Sequence, residues 1–121
     1  VFYLLKFYKF IKEFGDANET YYKEGVYVGY RYFDSEGIKP LFPFGFGQSY
    51  TSFSITKISL TNIKNEITII VSVKNKGKYS GKEVVQVYVS PSQENIDKPY
   101  QSLVAFKKTP KIEPSDRKSV V

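Results

Sequence analysis

The chain has 121 residues, which is enough for one small domain and short for two. It contains no cysteine and no histidine, which excludes a disulfide framework, Ser-His and Cys-His nucleophile pairs and most zinc sites. The net charge of +6 comes from 18 Lys and Arg residues against 12 acidic ones, and the lysines are scattered along the chain. Scattered lysines keep strand edges soluble, whereas nucleic-acid-binding domains concentrate basic residues on one face, so this composition does not favour nucleic-acid binding.

Residues 1–14 place their polar side chains at a helical spacing, which predicts a helix with a broad apolar face. Three interpretations stay open: a helix that binds a membrane surface or a partner, a helix that packs on a neighbouring domain, and a segment that is not native sequence. The apolar runs are shorter than the about 20 residues of a membrane helix, and lysines interrupt the stretch that a signal peptide would need. Because the chain starts with Val and ends inside an apparent strand, we expect a fragment of a longer protein.

The next segment, residues 15–24, is polar and turn-like. It contains Asn18-Glu19-Thr20, a sequon that accepts an N-linked glycan only in a secreted eukaryotic protein. Such short sequons often arise by chance, so glycosylation of Asn18 is left open.

Two aromatic stretches follow, EGVYVGYRYFD at Glu24–Asp34 and PLFPFGFGQSYTSF at Pro40–Phe53. Proline fixes φ and glycine allows positive φ, so we interpret Pro40–Ser49 as a rigid connector, the strap, and not as a flexible linker. Its phenylalanines would form a large exposed apolar patch unless something covers them. We therefore expect the strap to pack on one domain and to lead into the first strand of the next.

From Ser52 onward the pattern predicts strands. Phe53 and Ile55 alternate in one phase, and Ile58 and Leu60 alternate in the other, so the slip between them predicts a bulge or a bend. Turns are predicted at Thr61–Asn65 and Asn75–Lys78, and a long polar loop at Pro91–Pro99. Further strands are predicted at Glu66–Lys74, Gly81–Val89, Leu103–Lys107 and Arg117–Val121. Short strands at this spacing predict a β-sandwich.

Four motifs in this order resemble the C-terminal part of glycoside hydrolase family 3, the β-glucosidase-like enzymes. The two aromatic stretches are similar to the family's EGxxVGYRYYD-like and PLFPFGHGLSYTxF sequences, although Phe46 replaces His and Gln48 replaces Leu. Gly81–Val89, GKEVVQVYV, is similar to AGKEVVQLYVS, and Leu103–Lys108, LVAFKK, is similar to LKGFKK. The resemblance covers roughly residues 20–121.

The resemblance implies a mainly β fold: an incomplete fibronectin type III-like (immunoglobulin-like) β-sandwich preceded by the strap. The short N-terminal helix is predicted by the spacing within residues 1–14 and not by the resemblance. The resemblance implies a connector from a preceding α/β domain at 20–51 and a truncated fibronectin type III-like domain at 52–121. It does not cover the N-terminal segment at 1–19. A short helical passage is expected at Gly29–Tyr32, before a turn at Asp34–Gly37. With sheet faces left uncovered, the isolated chain should be marginally stable or aggregation-prone, and a cooperative thermal transition of a monomer would contradict this.

Glycoside hydrolysis needs two carboxyl groups that flank the scissile bond. The candidate pairs of this chain lie in turns, in a loop or at strand starts, and are predicted to be surface charges: Asp34 and Glu36, Glu94 and Asp97, Glu66 and Glu83. In the family the nucleophilic Asp lies in an N-terminal barrel before a Trp, which this chain lacks, and the acid/base Glu lies in an α/β sandwich domain upstream. We therefore assign no catalytic, cofactor-binding or metal-binding residues and no cofactor, and expect no activity from the chain alone.

Two features have alternative interpretations. Arg31 either reaches toward an active site in the neighbouring domain or makes an interdomain hydrogen bond or ion pair that orients the strap. The aromatic residues of the strap region either anchor a core or interface, or form a platform for sugar stacking: Phe42, Phe44, Phe46 and Tyr50.

The resemblance implies the C-terminal accessory part of an enzyme that hydrolyses terminal β-linked glucose with retention, during carbohydrate breakdown. β-Xylosidases share the architecture, so the substrate stays open. The expected partners are the catalytic barrel and α/β sandwich domains of the same enzyme, with a β-glucoside as substrate of the whole, and neither nucleic acid nor membrane. The full-length protein is expected to be secreted, periplasmic or extracellular.

The alternative function is a non-catalytic carbohydrate-binding or adhesion module, which binding to a glycan array would support. A basic nucleic-acid binder is a third possibility, which binding that survives moderate salt would support.

Overall fold

The computed structural model describes residue 18, residues 22–64 and residues 66–121. The described regular elements are one helix, α1 (Tyr30–Ser35), and five strands, β1 (Phe53–Ile63), β2 (Glu66–Asn75), β3 (Val84–Val89), β4 (Ser102–Lys108) and β5 (Arg117–Val120). The helix predicted for residues 1–14 lies outside the described residues. No helix in the described ranges is long and apolar enough to cross a membrane.

The chain divides into two compact units. The first contains the described residues up to Phe46 together with Val89–Ser102, and the second contains Gly47–Tyr88 and Leu103–Val121. The domain limits 1–19, 20–51 and 52–121 stay a prediction.

The second unit contains a three-stranded sheet with the order β1-β2-β5, and β3 pairs with β4 in a two-stranded sheet. Both pairings in the larger sheet are antiparallel. A small apolar core joins strands of both sheets, and Phe53 and Ile69 pack against it; its buried members are Val71, Val73, Val85, Ile112 and Val120. The predicted incomplete β-sandwich is confirmed, because two open sheets contribute apolar residues to one core.

The irregularity predicted in the first strand is confirmed. The β1–β2 register shifts between Lys57 and Ser59, which leaves Ile58 as an extra residue in β1. A bulge of this kind changes which face the following side chains occupy, and this explains the phase slip in the sequence.

The turn predicted at Thr61–Asn65 begins later than predicted. β1 continues to Ile63, which pairs directly with Glu66, so the connection has two residues and Lys64 takes a φ of 49°. Thr61 and Asn62 remain in the strand because cross-strand backbone pairing outweighs the turn preference of these residue types. Burial along β2 increases away from this hairpin, from an exposed Ile67 to a fully buried Val73.

The turn predicted to start at Asn75 is also wrong, because Asn75 is the last residue of β2 and is fully buried. Its Oδ1 accepts hydrogen bonds from Thr51 Oγ1 (2.6 Å) and Gly77 N (3.0 Å). Its Nδ2 donates to the carbonyl oxygens of Tyr79 (2.7 Å) and Ile112 (3.0 Å). The amide thus uses both donors and both acceptor positions, which is what permits a polar side chain to be buried here.

The remaining strands agree with the prediction to within one residue at each end, except at the start of β3. Gly81 precedes β3 and forms an isolated antiparallel bridge with Ile112, so β3 itself begins only at Val84. The segment at Pro91–Pro99 carries no helix or strand, which confirms the predicted loop.

Candidate functional site

Helix α1 is longer than the sequence predicted. The expected helical passage ended at Tyr32, whereas the helix continues through Asp34 and Ser35, so the turn comprises only Glu36 and Gly37. Tyr32 is the buried residue of α1. The extension matters for the site because it aligns Asp34 and Ser35 on a regular helix end.

Gly37 explains where α1 stops. It has a φ of 63°, the left-handed conformation that glycine adopts without strain. Ile38 N donates to Phe33 O (2.9 Å) and Gly37 N donates to Asp34 O (3.4 Å). This pair of bonds is a Schellman motif, which satisfies the last carbonyls of the helix.

The loop that joins β3 to β4, residues 90–101, is held against the C-terminal end of α1. Tyr100 N donates to Ser35 Oγ (2.9 Å), and Gln101 Nε2 donates to Asp34 Oδ2 (2.9 Å). Both bonds connect helix side chains with residues more than sixty positions later, so they define tertiary structure and not a local turn.

A third contact to the same loop comes from Tyr27, whose hydroxyl donates to Asp97 Oδ1. This hydrogen bond raises the pKa of the Tyr27 phenol above its usual value, with smaller contributions from desolvation and from the negative charges of Asp97 and Glu36. The cause is that the bond and both charges favour the neutral phenol over the phenolate.

The loop is also braced internally. Gln93 Nε2 donates to the carbonyl oxygens of Pro91 (3.3 Å) and, at the limit of hydrogen-bond length, Pro99 (3.5 Å). Lys98 Nζ donates to Ser92 O (3.2 Å). Two prolines and these bonds restrict the conformations that the loop can adopt.

A cleft of about 530 Å³ lies between α1 and this loop, entirely within the first unit. Three tyrosines line it: Tyr27, Tyr32 and Tyr100. Its polar lining includes two carboxylates, an amide and an ammonium group: Glu36, Asp97, Gln93 and Lys98.

The cleft brings together Glu36 and Asp97, which the sequence placed in separate pairs with Asp34 and Glu94. Asp34 instead accepts its hydrogen bond from Gln101, so its carboxylate anchors the loop. Sequence reasoning missed the Glu36–Asp97 grouping because it depends on a contact between distant segments. That the chain has no catalytic residue stays a prediction.

Two other carboxylates make local backbone contacts. Glu83 Oε1 accepts a hydrogen bond from Val84 N (2.8 Å). The pKa of the exposed Asp116 carboxyl is lowered, first because Arg117 N donates to it (2.7 Å) and then because Lys118 lies at 3.2 Å. Both carboxylates therefore accept hydrogen bonds from neighbouring backbone N–H groups, and Asp116 also forms a surface ion pair. Within the ranges that the structure describes, no group of acidic side chains is arranged to hold a metal ion.

The strap is not covered by the described part of the chain. Leu41 and the phenylalanines at 42, 44 and 46 each expose more than half of their surface. The rings cluster with one another: the centroids of Phe42 and Phe46 lie 5.1 Å apart, and those of Tyr30 and Phe44 lie 5.3 Å apart. The result is an exposed aromatic surface beside α1, and the predicted burial of the strap is not found in the described residues.

Arg31 lies next to this aromatic surface. Its guanidinium carbon is 5.6 Å from the centroid of the Tyr30 ring, within the range of a cation–π contact. Its Nε is buried and, among the described residues, has no hydrogen-bond partner. Both interpretations of Arg31 stay predictions.

Comparison with known proteins decides the family. A profile of the fibronectin type III-like domain matches residues 83–121. Thermostable β-glucosidase B of Acetivibrio thermocellus is 43% identical over 110 residues, which cover 88% of this chain and 14% of that protein. The chain belongs to the fibronectin type III-like C-terminal region of the glycoside hydrolase family 3 β-glucosidases.

Solved structures of this family agree with the sequence match. β-Glucosidase 3B from Thermotoga neapolitana superimposes with a TM-score of 0.74 at 40% identity, covering 82% of this chain and 14% of that one. A β-glucosidase from Paenibacillus barengoltzii gives a TM-score of 0.84 at 36% identity, covering 96% and 13%. The family 3 resemblance in the sequence is thus confirmed, and the chain spans about 14% of the length of the curated relative from Acetivibrio thermocellus.

Proposed function

We propose that this family 3 region is a non-catalytic accessory part of a β-glucosidase-like glycoside hydrolase, and that it supports the barrel and α/β sandwich domains of the same enzyme. The observation that carries the proposal is the exposed aromatic strap in a chain that matches only a small part of whole β-glucosidases. Such a surface is typical of a segment that packs on another domain.

The energetics favour the strap as the main contact. Fully burying an exposed phenylalanine side chain stabilises by about 1.5–3 kcal/mol, and the strap phenylalanines still expose 55–60% of their surface, so each gains roughly half of that. Aromatic anchors dominate interfaces of this kind. Phe42, Phe44 and Phe46 lie within one short segment that proline and glycine hold in shape. A preorganised aromatic segment loses little conformational entropy on docking. Most of the free energy gained by burying the phenylalanines therefore stabilises the interface.

Arg31 supplies a polar contact for the same interface. Arg31 is only partly buried and lies beside the aromatic surface, so an acceptor on the neighbouring domain would pair with the accessible part of its charged group. We therefore expect Arg31 to contribute to the position of the region and not to the chemistry.

For the whole enzyme we propose hydrolysis of terminal β-linked glucose with retention of configuration, with β-xylosides as the alternative substrate class. Retention needs two carboxyl groups about 5–5.5 Å apart around the scissile bond, and we place both on the other domains. Relatives that cover most of this chain are named β-glucosidases, and this supports the glucoside over the xyloside.

A chimaera tests the supporting role. Residues 22–121 would replace the matching region of the Thermotoga neapolitana enzyme, and the hydrolysis rate of an aryl β-glucoside and the melting temperature would be measured. We expect an active chimaera, and we expect Phe42→Ser with Phe44→Ser to lower its melting temperature. Tyr79→Ser, at an exposed aromatic residue that lies outside the strands and outside the strap, is the control. Equal melting temperatures for strap and control variants would contradict the docking role.

Two further parts of the proposal have separate tests. The coding DNA upstream should encode a barrel with an Asp-Trp pair and then an α/β domain. The extracytoplasmic location stays a prediction, which cell fractionation with an antibody against this chain would test.

A further inference from the structure

We propose that the cleft between α1 and residues 90–101 is a binding site for a neutral saccharide. The inference goes beyond the accessory role, because a supporting region needs no ligand of its own. It does not depend on that role either, since the cleft lies within the first unit.

The cleft has the size and the preformed walls of a small-molecule site. Its volume of about 530 Å³ lies within the ~300–1,000 Å³ range of ligand pockets. One wall is α1, which ends in the Schellman motif. The other wall is the loop, which Gln93 and Lys98 stabilise by internal hydrogen bonds. The loop also donates hydrogen bonds to Ser35 and Asp34 of α1. Walls fixed before binding reduce the entropy that a ligand must offset.

The side chains offer the two kinds of contact that a sugar ring needs. Tyr100 exposes 59% of its surface, and its ring presents an apolar face to the C–H groups of a pyranose. The carboxylates of Glu36 and Asp97 accept hydrogen bonds from adjacent sugar hydroxyls, and charged acceptors make the stronger bonds. The Tyr27 hydroxyl already donates to Asp97 Oδ1, which fixes the orientation of that carboxylate.

Gln93 supplies a third side-chain acceptor for sugar hydroxyls, beside the carboxylates of Glu36 and Asp97. Its Nε2 is engaged with the carbonyls of Pro91 and Pro99, so its Oε1 is the amide atom that remains to accept a hydroxyl. The cleft therefore combines aromatic faces with several oxygen acceptors, a combination suited to a polyhydroxylated and uncharged molecule.

The charge of the lining selects against acidic ligands. Glu36 and Asp97 carry two negative charges and Lys98 carries one positive charge, so the lining is net negative. Phosphates, sulfates and uronates would meet this repulsion in addition to losing their own hydration. A neutral monosaccharide or disaccharide avoids both costs.

The test is saturation-transfer difference NMR on the complete chain at micromolar concentration, with millimolar cellobiose or methyl β-glucoside as the probe. We expect saturation transfer to both neutral sugars and none to glucuronate. Tyr100→Ala should weaken binding about tenfold, the equivalent of about 1.4 kcal/mol for one lost stacking face. Tyr100→Phe should restore it because the ring is kept.

Tyr79→Ala is the matched control, since Tyr79 is similarly exposed, at 65%, and does not line the cleft. Far-ultraviolet circular dichroism checks that each variant folds. If Tyr100→Ala fails to fold, Glu36→Gln removes one acceptor charge at an exposed position and should weaken sugar binding severalfold. The proposal is overturned if the neutral sugars receive no saturation, if glucuronate receives as much, or if the cleft and control variants bind equally. Loss of strap docking in the chimaera would leave these results unchanged, so the two proposals fail separately.

Discussion

At the scale of single residues, Asn75 fixes one corner of the second unit. Its side-chain amide forms hydrogen bonds with residues that precede it and with residues that follow it in the chain. Its backbone N donates to Asp116 O (3.0 Å), and its backbone O accepts from Ser115 N (3.1 Å). Gly77 is required at the same corner, because a Cβ there would overlap Thr51 Oγ1. The corner therefore depends on residue types that a turn prediction assigns to the surface.

We predict that Asn75→Ala strongly destabilises the second unit. The substitution leaves buried donors and acceptors without partners, at about 1–3 kcal/mol for each group, so a total of about 3 kcal/mol or more is expected. Urea unfolding of the chimaera, in which the neighbouring domains are present, should show the midpoint of this region falling by about 1 M or more when followed by circular dichroism. Asn62→Ala, at an exposed asparagine of β1, is the control and should change the midpoint little. Equal midpoints for the two variants would show that the Asn75 network is unimportant.

The Tyr27–Asp97 hydrogen bond gives a prediction for pH. The folded-state pKa of Tyr27 is raised, so the contribution of this bond is fully present below the ordinary tyrosine pKa of 10.0 and is lost as pH rises through the folded value. In an ultraviolet titration of phenolate formation, Asp97→Asn should move one of the 11 tyrosines to lower pH. Glu94→Gln, another exposed loop carboxylate, is the control. Identical titration curves for the native chain and Asp97→Asn would refute the contact.

At the scale of elements, the end of α1 and the loop at residues 90–101 depend on each other. The helix supplies acceptors in its last turn, and the loop supplies a backbone and a side-chain donor. Since α1 has only six residues, its stability comes from such tertiary contacts and not from helix propensity.

We predict that Ser35→Ala releases the Tyr100 amide. Ser35 Oγ is the acceptor of that N–H, so its loss should speed hydrogen exchange at Tyr100 severalfold, as measured by NMR. Ser49→Ala removes a comparable side-chain acceptor, for Thr51 N at 3.3 Å, and should leave Tyr100 unchanged. Unaltered exchange in Ser35→Ala would mean that the loop is held by other contacts.

The strands were predictable from sequence where burial alternates along a strand. Val71 and Val73 are buried on one face as the period of two requires, and the phase slip revealed the bulge at Ile58. The turns were less predictable, because Asn75 and Asn62 have high turn propensity and yet lie in strands where cross-strand pairing and buried hydrogen bonds prevail.

The cleft could not be predicted from sequence. Its walls meet through hydrogen bonds between residues 65 to 70 positions apart, and no local pattern encodes such a contact. The aromatic composition of Glu24–Asp34 was visible, but its association with the polar loop was not. The four motifs between residues 24 and 108, in contrast, were together sufficient to identify the family.

At the scale of the whole molecule, the core and the candidate binding surfaces lie in different units. The second unit holds the small core and the sandwich, and the first holds α1, the cleft and most of the strap. An exposed aromatic surface favours aggregation of an isolated protein, whereas in a region that docks on another domain it stabilises the interface. The proposed docking on another domain would cover this surface.

The most direct test is the hydrolysis of an aryl β-glucoside by the purified chain, measured beside the chimaera that carries the same residues. We predict no release of the aryl group above buffer from the chain alone and clear turnover by the chimaera. Glu36→Gln and Asp97→Asn, which alter the two carboxylates of the cleft, should leave the background rate of the chain unchanged. Turnover by the chain at a rate comparable with the chimaera, abolished by either substitution, would contradict the claim that this region supports a glycosidase without catalysing the reaction.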